Sequence, residues 1–141
     1  MKSFLFLSMM LFVMSVYAQD NQQKDITDTQ CDKVFTRCEE PPSLKNGTKE
    51  YQKLLTDYLN EKNQLPTEGS ATLYLKISKT GEVLDVNIRD HSIKGVEKLV
   101  SAIKNFKNEW KAGKQNKRLV CAYVRVEIGA NHNKIKVRLE G

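Results

Sequence analysis

The chain has 141 residues, with 23 Lys and Arg against 17 Asp and Glu, and a formal charge of +6. One domain fits that length; multidomain enzymes and long repeat arrays do not. The basic balance permits acidic partners or anionic envelope surfaces without specifying either.

The first 18 residues hold 14 apolar side chains, all four Met and a single charge, Lys2. The apolar run Phe4–Val16 is 13 residues long, short of the roughly 20 that a membrane-spanning helix needs. Lys2, this run and the Val16-Tyr17-Ala18 site together read as a signal peptide, residues 1–18, cleaved after Ala18. The mature chain is expected in the periplasm or outside the cell, with no stable membrane anchor after cleavage. Gln19–Gln30 is polar, with Ile26 its one large apolar residue. A disordered leader over 19–33 follows from that composition, and the folded domain is expected over 34–141.

Export places Cys31, Cys38 and Cys121 in an oxidising compartment, where two of the three are expected to pair. The local pair Cys31–Cys38 and the long-range pair Cys38–Cys121 both stay open. Their spacing is neither a CxxC redox motif nor a zinc pattern, and no metal or other cofactor is expected.

Thr48–Asn60 puts Tyr51, Leu54, Leu55, Tyr58 and Leu59 on one face of an amphipathic helix. Ala71–Ser78 alternates, with Leu73, Leu75 and Ile77 facing one way. Val83–Arg89 alternates again, with Leu84, Val86 and Ile88 facing in. A turn through Gly81 joins the two runs into a β-hairpin. Ile93–Lys107 repeats Val96, Leu99, Val100, Ile103 and Phe106 at helical spacing. Trp110 follows, and Ala112-Gly113 breaks the pattern. Leu119–Ile128 is a third strand, with Cys121, Tyr123, Arg125 and Glu127 on the face opposite Val120, Ala122, Val124, Val126 and Ile128. Gly129–Asn133 reads as a loop and Lys134–Leu139 as a further strand folding back on the third. The expected fold class is α+β: helix, β-hairpin, helix and one or two further strands. They would form an antiparallel sheet with the helices packed on one face.

Catalysis finds little footing. His91 and His132 both sit in turns, and adjacent residues such as Asp90, His91 and Ser92 do not converge as a triad must. Asp85, Asp90 and Glu82 form no recognisable acid–base pair. No enzyme is expected. Lys104, Lys107, Lys111, Lys114, Lys117 and Arg118 surround the loop after the second helix. Trp110 is the one aromatic in that run, so nucleic acid, which wants interleaved aromatics, is not an expected partner. Trp110, Gly113 and Gly81 read as structural, with Trp110 capping the core end of the sheet.

Taken in order, these pieces resemble the C-terminal domain of TonB in the form common among Bacteroidetes. Pro42-Ser43-Leu44-Lys45-Asn46-Gly47 is similar to that family's Pro-x-Phe-Pro-Gly-Gly entry to the first helix, and Leu65-Pro66 to the Tyr-Pro after it. Leu73–Ile88 resembles the family hairpin. Trp110-Lys111-Ala112-Gly113-Lys114-Gln115-Asn116 resembles the Trp-x-Pro-Gly-Lys-Gln-Asn loop, with Ala112 in place of Pro. Val120–Ile128 resembles the last core strand, and the likeness spans about Val34 to Leu139. Lys117 and Leu119 stand where the family has Gly and Pro. The membrane anchor and Pro-rich spacer of a working TonB are not expected here.

The resemblance implies an exported protein-binding module linked to TonB-dependent outer-membrane transport. Its partner would be a protein or extended peptide, such as a segment of an outer-membrane transporter, added to a sheet edge by β-augmentation. The recipient edge strand would carry Val120, Ala122, Tyr123, Val124, Arg125, Val126 and Ile128. A second expectation is a secreted structural, inhibitory or ligand-binding α+β domain that shares the fold without the transport role.

Overall fold

The computed structural model describes residues 31–140. The expected signal peptide, its cleavage site and most of the leader lie outside the described residues.

Two short strands come first, β1 (Val34–Phe35) and β2 (Ser43–Leu44), followed by helix α1 (Gly47–Glu61). The hairpin strands are β3 (Glu68–Ile77) and β4 (Val83–His91), and helix α2 (Val96–Asn105) follows. Two further short strands, β5 (Trp110–Lys111) and β6 (Gly113–Gln115), lead to the long β7 (Arg118–Asn131) and to β8 (Lys134–Glu140).

The expected fold class does not hold. Strands make up 45% of the structure and the two helices 23%, and the main sheet is six-stranded, curled and mixed rather than antiparallel. Among the described residues, two short strands precede the first helix. The mixed character comes from β1, which runs parallel to β7 with Val34 opposite Cys121 and Phe35 opposite Ala122. Four strands of two or three residues, β1, β2, β5 and β6, were invisible to periodicity, because so short a segment carries no period to detect.

The main path through the sheet is β1-β7-β3-β4, with β6 and β8 also pairing with β7. Alternation explains the long strands. Leu73, Leu75 and Ile77 on β3 are fully buried, and so are Val126 and Ile128 on β7 to within 1%. Burying one such side chain contributes about 1.5–3 kcal/mol. In β4 the alternation breaks. Ile77 faces Val83 while Lys76 faces Asp85, so Leu84 is squeezed out of register. Val83 and Val86 are buried in consequence, whereas Leu84 is only half-buried and Ile88 remains 42% exposed.

Two reversals explain how β6, β7 and β8 follow one another closely. Asn116 and Lys117 at one, and His132 and Asn133 at the other, all have positive φ. Two central residues in the left-handed region make the hairpin turn whose twist suits antiparallel strands. Gly129 and Ala130, expected in a loop, therefore belong to β7 and face Lys136 and Ile135 of β8.

The first helix buries Tyr51, Leu55 and Leu59, and the second buries Val96, Leu99, Ala102 and Ile103. Helix α2 is shorter than its expected span because Gly95 holds its N-terminus in the left-handed conformation, with φ of 68°. Ile93, outside the helix, still enters the core. Trp110 is fully buried, pairs through its backbone with Leu44 and meets Tyr51 edge to face at 5.6 Å.

A disulfide joins Cys31 to Cys121 across 90 residues of sequence. Neither pairing left open by the sequence forms, because β1 lies directly beside Cys121. Cys38 instead keeps a free thiol, which donates to the carbonyl oxygen of Glu40 at 3.2 Å. Burial pushes that thiol up from its ordinary pKa, with the backbone of Lys114 opposing. The segment after β1 then docks on β6, where Glu40 and Lys114 exchange backbone hydrogen bonds of 3.1 and 2.8 Å. Gly113 makes that docking possible, since a Cβ there would lie 2.9 Å from Cys38 Sγ and 3.1 Å from the Glu40 oxygen.

Candidate functional site: the β7 edge

The strand that carries the expected binding residues has neighbours on both sides. On one side, β3 pairs from Ala122 to Asn131. On the other, β6 faces Arg118 to Val120, β1 faces Cys121 and Ala122, and β8 faces Arg125 to Asn131. Tyr123 and Val124 alone in this stretch have a strand partner only on the β3 side. The edge expected at Val120, Ala122, Tyr123, Val124, Arg125, Val126 and Ile128 is therefore occupied except at Tyr123 and Val124. The physical reason is β8. Ile135 and Val137 can reach the core only by lying beside β7, and both are buried there.

The side chains of the same strand divide by parity. Ala122, Val124, Val126 and Ile128 are buried, while Tyr123 and Arg125 are half-buried on the opposite face. Cys121 shares that opposite face by parity yet is fully buried, since β1 and the disulfide lie against it.

On the outward face, β7 and β8 are joined by a closed ring of ion pairs. Arg125 contacts Glu127 at 2.9 Å and Glu140 at 2.8 Å. Arg138 contacts the same two carboxylates at 2.6 and 3.4 Å. Hydrogen bonding to Arg138 holds the Glu127 carboxyl below its usual range against desolvation, which raises it, and the charges of Arg138 and Arg125 act in the same direction as the hydrogen bonding. The same pairing shifts Arg138 upward. Alternation of Arg125, Glu127, Arg138 and Glu140 carries this ring once the β7–β8 register is known.

A residue that periodicity did not mark completes the arrangement. Gln52 of α1 accepts a 2.7 Å hydrogen bond from the backbone N–H of Val137. A β8 donor on the side away from β7 is thus satisfied by a helix side chain, and Lys134, Lys136 and Arg138 stand exposed along the same strand. Charged side chains and a covering helix are common means of blunting a sheet edge.

At the far side of the sheet, β4 has β3 as its strand partner among the described residues. Its exposed residues include Asp85, Asn87, Arg89 and Asp90. Irregular pairing at both ends of the β3–β4 ladder and these charges disfavour simple strand addition there.

Above Tyr123, a cavity of about 530 Å³ is lined by Tyr74, Arg125, Arg37, Cys38 and Glu140, among others. Among the described residues no group of three or more His, Cys, Asp or Glu is placed to hold a metal ion. No helix among them is long and apolar enough to cross a membrane. Gly81 and Trp110 meet directly, and Gly113 lies under the docked N-terminal segment. Comparisons with protein-family models, curated proteins and solved structures find no match.

Proposed function

We propose that this chain is an exported protein-binding module of the kind the TonB C-terminal resemblance implies, with its peptide-binding edge held closed by its own last strand. The observation that supports this reading is the placement of β8. From Arg125 to Asn131 it occupies the side of β7 where an added peptide would lie. The disulfide between Cys31 and Cys121 suits an oxidising compartment. Export by cleavage after Ala18 would deliver the mature chain to the periplasm or beyond. Its partner would be an extended segment of an envelope protein such as an outer-membrane transporter, taken up where β8 gives way.

The experiment compares the intact mature chain with one ending at Ala130, each presented to envelope extracts and to a synthetic peptide spanning Lys134–Glu140. The shortened chain is expected to bind that peptide and to capture a transporter segment that the intact chain leaves in solution. Equal capture by both forms, or by neither, overturns the reading and favours a structural or inhibitory secreted domain.

A further inference from the structure

Away from the β7–β8 ring, the seam between β2–β5 and β6 opens into a concave surface of about 720 Å³. Lys45, Lys79, Lys111 and Lys114 line it, with Glu40 the one acidic residue among them. Glu40 reaches Lys114 at 4.0 Å, and both side chains are well exposed. Lys45, Lys79 and Lys111 make no ion pair among the described residues. Four ammonium groups around one concavity, three of them unpaired, leave a strong positive field there.

Part of the lining is apolar. Leu119 lines the same surface and is 51% exposed, one of two exposed large hydrophobic residues among the described residues. Pro41 and Ala112 line it too. An exposed aliphatic side chain on a surface shared with four lysines, three of them unpaired, calls for a ligand with both properties.

From this arrangement we infer that the concavity is a docking site for an acidic peptide segment of a partner protein, with an apolar side chain seated on Leu119 between flanking carboxylates. Three features select this occupant. Concavity favours a protruding side chain over a flat bilayer surface. Trp110 lines the surface yet is fully buried, so it cannot act as a stacking platform for a nucleobase. A simple polyanion would leave Leu119 unused. The site takes Leu119 from the start of β7, where β6 and not β8 is the neighbour, and does not depend on release of β8.

Fluorescence anisotropy of the intact mature chain tests the inference, with a labelled peptide in which one Leu is flanked by three Glu on each side. Saturable binding at low ionic strength that weakens with added salt is expected. Lys79→Glu with Lys111→Glu should lower affinity about tenfold or more, as charge reversal at close pairs does. Lys98→Glu with Lys134→Glu, the same change in net charge elsewhere, should leave it within about twofold of the parent. Leu119→Ser should reduce affinity to that measured for a peptide carrying Ser in place of Leu. Circular dichroism and thermal melts of each variant confirm that a loss is not unfolding. Four results overturn the inference: no saturable binding, equal loss in both charge-reversed pairs, indifference to the peptide Leu, or tighter binding to phosphatidylglycerol vesicles or dextran sulfate than to the peptide.

Discussion

Gly81 lies directly against the carbonyl oxygen of Trp110, so close that a Cβ built on the glycine would run into that oxygen. The glycine also has φ of 80°, in the left-handed region. Two independent demands thus fall on one residue: a backbone conformation that side chains disfavour and a contact that leaves no room for one. Around it, Ser78 Oγ accepts from the backbone N–H of Thr80 and of Glu82 at 3.2 and 3.0 Å. The β3–β4 turn is fastened to the strand that carries Trp110. Gly81→Ala is expected to destabilise the fold by at least about 1–3 kcal/mol from backbone strain alone, with the clash adding to it. Urea unfolding measures this, and a melt unchanged from the parent would refute the contact.

Trp110 itself shows why a buried aromatic can be both an anchor and a cost. Its ring is fully buried against Tyr51, and among the described residues neither the Trp110 Nε1 nor the Tyr51 hydroxyl has a hydrogen-bond partner. Burial moves the Tyr51 phenol well above its ordinary pKa. The nearby indole N–H opposes that shift without closing a hydrogen bond, and the charge of Glu109 reinforces it. Trp110→Ala is expected to cost about 3–5 kcal/mol through the lost ring. Tyr51→Phe removes only an unsatisfied hydroxyl and should be neutral or stabilising. Guanidinium titrations should show a lowered midpoint for Trp110→Ala and an unchanged or raised one for Tyr51→Phe. A large loss from Tyr51→Phe would mean the hydroxyl has a partner.

The disulfide between Cys31 and Cys121 ties β1 to β7 over a long loop. In the chain-entropy model a closed loop of this length contributes about 4–5 kcal/mol. Cys31→Ser is expected to lower stability by about 2–5 kcal/mol and loosen the N-terminal segment. Cys38→Ala should leave the bridge in place. Peptide mapping under non-reducing conditions should recover Cys31 linked to Cys121 with Cys38 free, and a Cys38 linkage would contradict the connectivity.

Legibility followed length and period. The alternation of Leu73, Leu75 and Ile77 and of Val124, Val126 and Ile128 placed the inner face of β3 and β7 correctly. The return of Lys134–Leu139 onto the third strand was legible for the same reason. Parity failed in β4, because the displaced Leu84 moves Val83 onto the buried side. Cys121 lies on the face that parity assigns it, apart from the main core, but parity names a face and not what covers it, so its burial under the disulfide was not legible. The parallel β1 and the pairing of Cys31 depend on contacts across 90 residues, which no local pattern encodes. The tight turns were missed because Asn116-Lys117 and His132-Asn133 lack the glycine that normally signals positive φ.

The ring formed by Arg125, Glu127, Arg138 and Glu140 bears on whether β8 can leave β7. Glu127 is held below the usual carboxylate range, first by its hydrogen bonds to Arg138. A carboxyl whose folded pKa lies below its unfolded value adds stability above the unfolded pKa. That stability fades as pH falls through the folded pKa. Ion pairs this exposed shift the global unfolding equilibrium little and are screened by salt. Their effect is local, so the readout must be local. Amide hydrogen exchange, corrected for intrinsic rates, should show β8 losing protection relative to β3 as pH drops from neutral through the carboxylate range. Salt at about 1 M should do the same at neutral pH, because the screening length then falls to about 3 Å. Glu127→Gln should bring the β8 amides to their acid-like exchange rate already at neutral pH and flatten the remaining pH dependence. If β8 and β3 instead keep a constant ratio of protection in acid, in salt and in the variant, the ring does not hold the strand. Packing of Ile135 and Val137, together with the Gln52 hydrogen bond, would then account for its closure.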